Sequence, residues 1–283
     1  MLLITAMADQ SVSRETIAEA LRRLGLSGKP VVVHSSLKSF GHVTGGAETV
    51  IQSLRDVCST VLMPGFQCAA KILPPPEKRY RQNGCDYAVH FDFVNPPRPF
   101  DVRAAPLHPK MGAVCHTFAA KTETHRSYHP WHSWLGIGER AAEWLGDHPW
   151  QTTNRPIELM AEAGGFVLLL GVNLTSCTAV HISEELAGRR PFIRWAMDDK
   201  HEIREVATSG CAKGFEALMP HCRHLFRAER IGNCLAQAAP LKGLINTLAP
   251  VIRQQPELTR CSSDCLRCHD TVLGGPLPPA GIC

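Results

Sequence analysis

Residues 30–63, PVVVHSSLKSFGHVTGGAETVIQSLRDVCSTVLM, hold the pattern that decides the fold. Residues 30–34 form a short β-branched run of the kind that makes a buried strand. A loop of serines and glycines follows over 35–46. Residues 47–57 then carry Val50, Ile51 and Leu54 at helical spacing. Residues 59–63 read as a second strand. A strand–loop–helix–strand order implies two parallel strands, with the loops at their carboxyl ends, where α/β proteins place ligands.

On the amino-terminal side, Ile17, Ala20, Leu21 and Leu24 recur at helical spacing over residues 13–24, and Gly25 and Gly28 end that helix. On the carboxyl side, residues 64–109 contain PPPEKRYRQNG and NPPRPF. That is too much proline for regular elements, and it predicts a structured excursion over the surface. Residues 137–145 and 157–163 read as helices. FVLLLGV, residues 166–172, is apolar throughout and predicts a strand central in its sheet. The loop NLTSCT leads into a helix over 179–187, which Gly188 stops. Residues 241–252 read as helix, short elements fill the stretch before it, and the Pro- and Gly-rich tail from Gly274 reads as loose. These elements predict a single α/β domain over residues 1–260, followed by a cysteine-rich tail at 261–283.

The composition sets limits on function. With 283 residues the chain is long enough to bury a sizeable core, and 44% hydrophobic and 20% charged residues suit a soluble globular protein. A net charge of +4 without any Lys/Arg block argues against nucleic acid as a partner. No apolar run approaches the roughly 18 residues of a membrane span. The opening MLLITAMADQ has no basic start and is too short for a signal peptide, so a cytoplasmic location is expected. Of the twelve cysteines, Cys58, Cys68, Cys85, Cys115 and Cys177 are scattered and read as small buried apolar residues. The other seven, Cys211, Cys222, Cys234, Cys261, Cys265, Cys268 and Cys283, crowd the last third.

Three constellations carry chemistry. In HSSLKSFGHVTGGAETVI, residues 34–51, hydroxyls at Ser35, Ser36 and Ser39, the charge of Lys38 and the glycines ending at Gly45 and Gly46 precede a helix start. Free N–H groups there suit a phosphate, and a plain Gly/Ser turn suits the pattern equally. In VLLLGVNLTSCTAVHISEEL, residues 167–186, His181 and Glu184 are three apart on one helical face. A carboxylate beside an imidazole fixes its tautomer and keeps it basic. Thr178 is placed to cap that helix or to meet a developing oxyanion. A helix-start histidine bonded to its neighbours is the plainer alternative. In HRSYHPWHSW, residues 125–134, His129 and His132 invite a metal reading, but the intervening Pro130 breaks helical spacing, and a polar loop lining a cleft fits better.

The segments HSSLKSFGxVxGGAExVI, RSxHPxxS (Arg126 to Ser133) and LLLGVxxxxxTxxHxxE (Leu168 to Glu184) stand in the order found in aminoglycoside 3-N-acetyltransferases, with weaker echoes at Pro64 and at Asn83 to Tyr87. The chain resembles that family over roughly residues 10–235. The resemblance implies a mixed central sheet flanked by helices, of the antibiotic N-acetyltransferase type. That fold is distinct from the common acetyltransferase superfamily, whose pyrophosphate loop RRLGLS (residues 22–27) only approximates. It also implies acetyl-coenzyme A as cosubstrate and direct attack by an amine, the 3-amino group of an aminoglycoside, with no cysteine nucleophile; Cys177 is then a bystander.

Carried over residue by residue, the resemblance makes His181 the general base, with Glu184 and Thr178 beside it. Ser35, Ser36, Leu37, Lys38, Ser39, Gly45, Arg126 and Ser127 fall at the coenzyme, and His129, Ser133, Thr175 and Glu185 at the acceptor. At Thr175 the family usually has Asp. The lost charge predicts weaker or narrower acetylation of polycationic acceptors. The implied partners are coenzyme A and a small amine, with the chain a monomer or homodimer.

Cys261-Ser-Ser-Asp-Cys265-Leu-Arg-Cys268 is a C-x3-C-x2-C cluster. Three close thiols in a reducing compartment suggest a structural zinc, with Cys211 as the first choice for fourth ligand and His269 or Cys283 as alternatives. Reduced surface thiols are the other reading. Two rival functions also remain: a metal-dependent hydrolase using His125, His129 and His132, and a binding protein that keeps only the coenzyme loop. A different small amine is a third variant within the transferase class.

Overall fold

The computed structural model describes residues 11–67, 72–89 and 98–279. Its centre is a mixed seven-stranded sheet. In chain order the strands are β1 (Pro30–Ser35), β2 (Thr60–Pro64), β3 (His125–Arg126), β4 (Trp134–Gly138), β5 (Phe166–Leu170), β8 (Arg227–Ile231) and β9 (Cys234–Pro240), and a separate hairpin pairs β6 (Phe192–Met197) with β7 (Ile203–Thr208). The spatial order in the sheet is β3-β4-β2-β1-β5-β9-β8. β1 lies parallel to both β2 and β5, whereas β4 and β9 add antiparallel strands outside them.

Alternation along the strands divides the core into two layers. Val31, Val33, Leu168 and Leu170 face one side, and Val32, Val167 and Leu169 face the other. The first side is covered by α1 (Arg14–Arg23), α2 (Gly46–Val57) and α3 (Gly112–Ala119) through Leu21, Ile51, Leu54 and Phe118. The second is covered by α4 (Ala141–Gly146), α5 (Arg155–Glu162), α6 (Val180–Leu186), the short α7 (Met219–Cys222) and α8 (Leu241–Gln254) through Trp144, Ile157, Val180 and Leu244. Burial on both faces explains why 166–170 is apolar without alternation. A last helix, α9 (Leu266–Val272), carries the cysteine tail.

The expected mixed α/β architecture is present, with local differences. Ile137 belongs to β4, paired with Val61, and the helix begins only at Ala141. Gly136 and Gly138 account for this: a Cβ at Gly138 would lie 2.3 Å from the Ser59 carbonyl oxygen, so the chain hugs β2 as a strand. The tail beyond Gly274 is docked in its described part. Leu277 pairs with Arg81, and the Arg190 N–H bonds to the Gly274 carbonyl. The described parts of the proline-rich excursion pack on the β6–β7 hairpin. Asn83, nearly fully buried, accepts from the Ile193 N–H and donates to its carbonyl at 2.8 and 2.9 Å. Among the described residues no helix is long and apolar enough to cross a membrane.

Gly171 ends β5 in a left-handed conformation (φ +64°), and a Cβ there would fall 1.7 Å from the Ser39 hydroxyl oxygen. Gly171→Ala therefore meets both backbone strain and a clash. It should lose about 1 kcal/mol or more of stability, read as a lowered urea midpoint. An unchanged midpoint would contradict this account of the turn.

Candidate active site

The carboxyl ends of the three parallel strands open into a cleft of about 350 Å³. His34 and Ser35 from β1, Pro64 from β2 and Val172 just after β5 form its floor. This is the position the strand–loop–helix–strand order predicts. One wall is the 174–178 turn and α6, which contribute Thr175, Thr178 and His181. Lys110, Met111, His132, Ser209, Gly210 and Arg267 also line the cleft.

His181 and Glu184 are both buried in the first turns of α6. Their i, i+3 spacing brings His181 Nδ1 to 2.7 Å from Glu184 Oε2. The other carboxylate oxygen accepts from Arg189 Nη1. Arg189, also buried, donates further to Thr259 Oγ1 and the Pro256 carbonyl, each at 2.7 Å. A carboxylate this deep keeps its charge only with such a partner. An ionised carboxylate only accepts, so a neutral imidazole here carries its proton on Nδ1 and its lone pair on Nε2. Phe215 packs edge-on against the imidazole at 4.8 Å. Thr178 lines the same wall, and its carbonyl accepts from the His181 N–H.

The other expected residues are distributed differently. Ser35 lines the cleft, but the Ser39 hydroxyl is bound to the Ser36 carbonyl at 2.7 Å and Lys38 is exposed. Leu37 packs partly against the core, the Ser36 N–H bonds to the Leu170 carbonyl, and Gly45 is the left-handed residue that opens α2 without a side-chain cap. None of these five, Ser36, Leu37, Lys38, Ser39 and Gly45, is in the cleft lining.

The RSxHPxxS segment mostly points inward. Arg126 donates to Ser133 Oγ and to the carbonyls of Ala105 and Gly65, and Ser133 is itself bound to the Gly65 carbonyl. Ser127 accepts from the Trp134 N–H and bonds His148 at 2.9 Å. His129 is fully buried, stacked on His148 with ring centres 4.5 Å apart, and its Nδ1 accepts the Trp131 and His132 N–H groups. These side chains build the loop. His132 is the member that reaches the cleft, stacked on Phe66 at 4.6 Å.

Of the residues expected at the acceptor, Thr175 lines the cleft with its hydroxyl tied to Asn173 Oδ1 at 2.6 Å. Glu185 points into a smaller hollow, where Thr153 Oγ1 donates to it at 2.6 Å and burial raises its pKa. His125, exposed on β3, faces a different hollow from His132, so the three-histidine hydrolase centre does not assemble. Cys177 is fully buried, and burial pushes its thiol up to about 12, which removes it as a nucleophile. Among the described residues, the four cysteines 211, 261, 265 and 268 form the one group of close metal-ligating atoms. His269 bonds Asp270 instead, and Cys283 lies outside the described residues.

Sequence reasoning did not find Arg189, Arg267, His34, Phe66 or Ser209. Arg189 lies five residues beyond Glu184, so its position was the one usable signal.

Residues 32–252 match the aminoglycoside 3-N-acetyltransferase family. The SPbeta prophage-derived aminoglycoside N(3')-acetyltransferase-like protein YokD of Bacillus subtilis is 31% identical over 244 residues, covering 78% of this chain and 86% of its own. An aminoglycoside N(3)-acetyltransferase III from Salmonella is 32% identical over 188 residues, 65% of this chain and 63% of that enzyme. Among solved structures, the apoenzyme of aminoglycoside acetyltransferase AAC(3)-IVa superposes with a TM-score of 0.74 at 20% identity, covering 95% of this chain and all of that one. AAC-IIIb in a binary complex with CoASH gives a TM-score of 0.72 at 21% identity, covering 87% of this chain and 98% of that one.

The buried histidines make the fold sensitive to acid. Burial lowers His34 and His148 to about 4. It also holds His129 and His132 well below the usual value, with repulsion from His148 adding at the first and from His181 at the second. In the unfolded chain such groups take protons near pH 6.5. The stability from keeping them neutral is thus complete above about pH 6.5 and is lost as pH falls toward 4, with a slope of about 1.4 kcal/mol per pH unit per histidine. Urea midpoints at pH 7.5, 6.0 and 5.0 should fall in that order, and His148→Gln should flatten the trend; a flat wild-type series would contradict the buried neutral cluster. By the match over residues 32–252 and the 31% identity to YokD, the chain belongs to the aminoglycoside 3-N-acetyltransferase family.

Proposed function

We propose that the chain transfers the acetyl group of acetyl-coenzyme A to an amine, the 3-amino group of an aminoglycoside antibiotic, with His181 as general base. The observation that carries this reading is the buried Arg189–Glu184–His181 chain, which ends in an imidazole that lines the cleft with Nδ1 turned to the carboxylate. An amine near neutral pH is largely protonated and must lose a proton to attack a thioester. That first proton goes to solvent; as the free amine attacks and the N–C bond forms, Nε2 takes the second proton, which the nitrogen sheds to become an amide. Glu184 accepts the Nδ1–H throughout and stabilises the imidazolium. Breaking the C–S bond releases the coenzyme thiolate, which regains a proton from the imidazolium. Thr178 lines the same wall, and in this reading its hydroxyl meets the oxygen of the tetrahedral intermediate.

The charges of the cleft suit an anionic cosubstrate: Lys110 and Arg267 line it together with the Ser35 end of β1. The complex of AAC-IIIb with CoASH supports the same cosubstrate here. The relatives named for aminoglycoside acetylation support the acceptor and a role in antibiotic resistance. Thr175 brings no charge to the acceptor side, so aminoglycoside acetylation is weaker or narrower than in relatives with Asp at that place. Use of acetyl-coenzyme A agrees with a cytoplasmic location.

The test is product formation, followed by mass spectrometry, from acetyl-coenzyme A and a panel of aminoglycosides and simpler amines. Wild type should acetylate at least one aminoglycoside. His181→Ala should keep coenzyme affinity and lose about 10²- to 10⁴-fold in kcat. Near-normal turnover by folded His181→Ala would remove His181 as base, and acetylation of simple amines alone would overturn the acceptor.

A further inference from the structure

The catalytic reading leaves four cysteines unused, and they converge from two distant parts of the chain. Cys211 follows β7, whereas Cys261, Cys265 and Cys268 belong to the turn before α9 and to its first residues. Fifty residues separate Cys211 from Cys261, yet their sulfurs are 3.8 Å apart. Cys261 and Cys268 are at 3.5 Å, and all four sulfurs lie within 4.8 Å of one another. Four thiolates about 2.3 Å from a tetrahedral zinc have sulfurs about 3.8 Å apart. A disulfide would draw one pair to about 2.05 Å and strand the other two thiols. The Cys261 N–H already points at Cys268 Sγ, 3.4 Å away, an orientation that suits a thiolate acceptor.

We infer that Cys211, Cys261, Cys265 and Cys268 hold one zinc ion in a closed tetrathiolate centre that fixes one wall of the cleft. Four soft thiolates select zinc over magnesium or calcium, and four protein ligands leave no open position, which makes the centre structural. An iron–sulfur cubane needs thiolates spread more widely than these.

The link to the cleft is Arg267, which lies between the ligands Cys265 and Cys268. Its guanidinium donates to the carbonyls of Ser209 and Gly210, at 2.8 and 2.7 Å, immediately before the ligand Cys211. Arg267, Ser209, Gly210 and Ala212 all line the cleft, and Ser209 Oγ approaches His132 Nδ1 at 3.4 Å. α9 has seven residues and no side-chain cap, too short to be stable without tertiary ties. The metal clamps it to the loop after β7 and so holds the guanidinium at the cleft.

Metal content of untagged, full-length protein purified without chelator is the direct test, independent of any acetyl transfer. Mass spectrometry of the metals should find about one zinc per chain. Cys265→Ser should retain less than a tenth of that, melt at a lower temperature and exchange amide hydrogens faster at residues 209–212 and 261–272. Cys85→Ser, a thiol outside the cluster, should retain all of it. If Cys265→Ser does not fold, titrating wild type with a mercurial should release one zinc as four thiols react. Folded protein without zinc, stoichiometric iron in its place, or undiminished zinc in Cys265→Ser would overturn the inference.

Discussion

Glu184 lies between an imidazole and a guanidinium, all three shielded from water, and each of its oxygens is committed to one of them. A buried carboxylate is costly unless paired, and removing one partner of such a pair typically costs about 3–5 kcal/mol. Arg189 supplies the pairing charge and is itself held by Thr259 and Pro256, seventy residues along the chain. The orientation of His181 therefore depends on a contact between the end of α6 and the turn after α8. In the proposed reaction neither Arg189 nor Thr259 meets the substrate, yet both decide which nitrogen faces it.

The sheet sets where this constellation can act. β1, β2 and β5 run parallel, so the segments that leave their carboxyl ends meet at one edge. There the β1 end brings His34 and Ser35, and the β5 end turns through Gly171 beneath Ser39 before the 174–178 turn. Only a glycine allows that approach, which brings the start of α6 beside the β1 loop. The lining is completed from the other end of the sequence by the loop after β7 and by α9. The α6 wall and the cysteine tail thus share one cleft, although they are far apart in the chain.

What was legible in the sequence follows from which contacts are local. FVLLL and VVV are apolar because both faces of the central strands are covered, so they announce themselves without knowledge of their partners. The His181–Glu184 bond lies within two turns of one helix and is visible as spacing. Ile137 and Gly138, the end of β4, read as a helix start because apolar residues continue into 141–145, and the close approach of Gly138 to β2 becomes visible only in three dimensions. β7 was missed because Ile203, Arg204 and Glu205 are exposed, so no apolar alternation marks its first half. In Arg126 to Ser133 the residue types read as polar chemistry, but buried backbone carbonyls absorb Arg126 and Ser133. Arg189 and Arg267 are held by partners 57 to 70 residues away, and single-sequence spacing holds no record of such contacts.

In the proposed reaction Glu184 fixes the His181 tautomer. Long-range proton–nitrogen correlation spectra of protein labelled with ¹⁵N-histidine test it most directly, with His181 assigned by difference from His181→Gln. At pH 8 the predicted pattern is a protonated Nδ1 and a bare Nε2. A His181 ring protonated on Nε2 would contradict the account, because the nitrogen facing the cleft would then have no lone pair with which to take a proton.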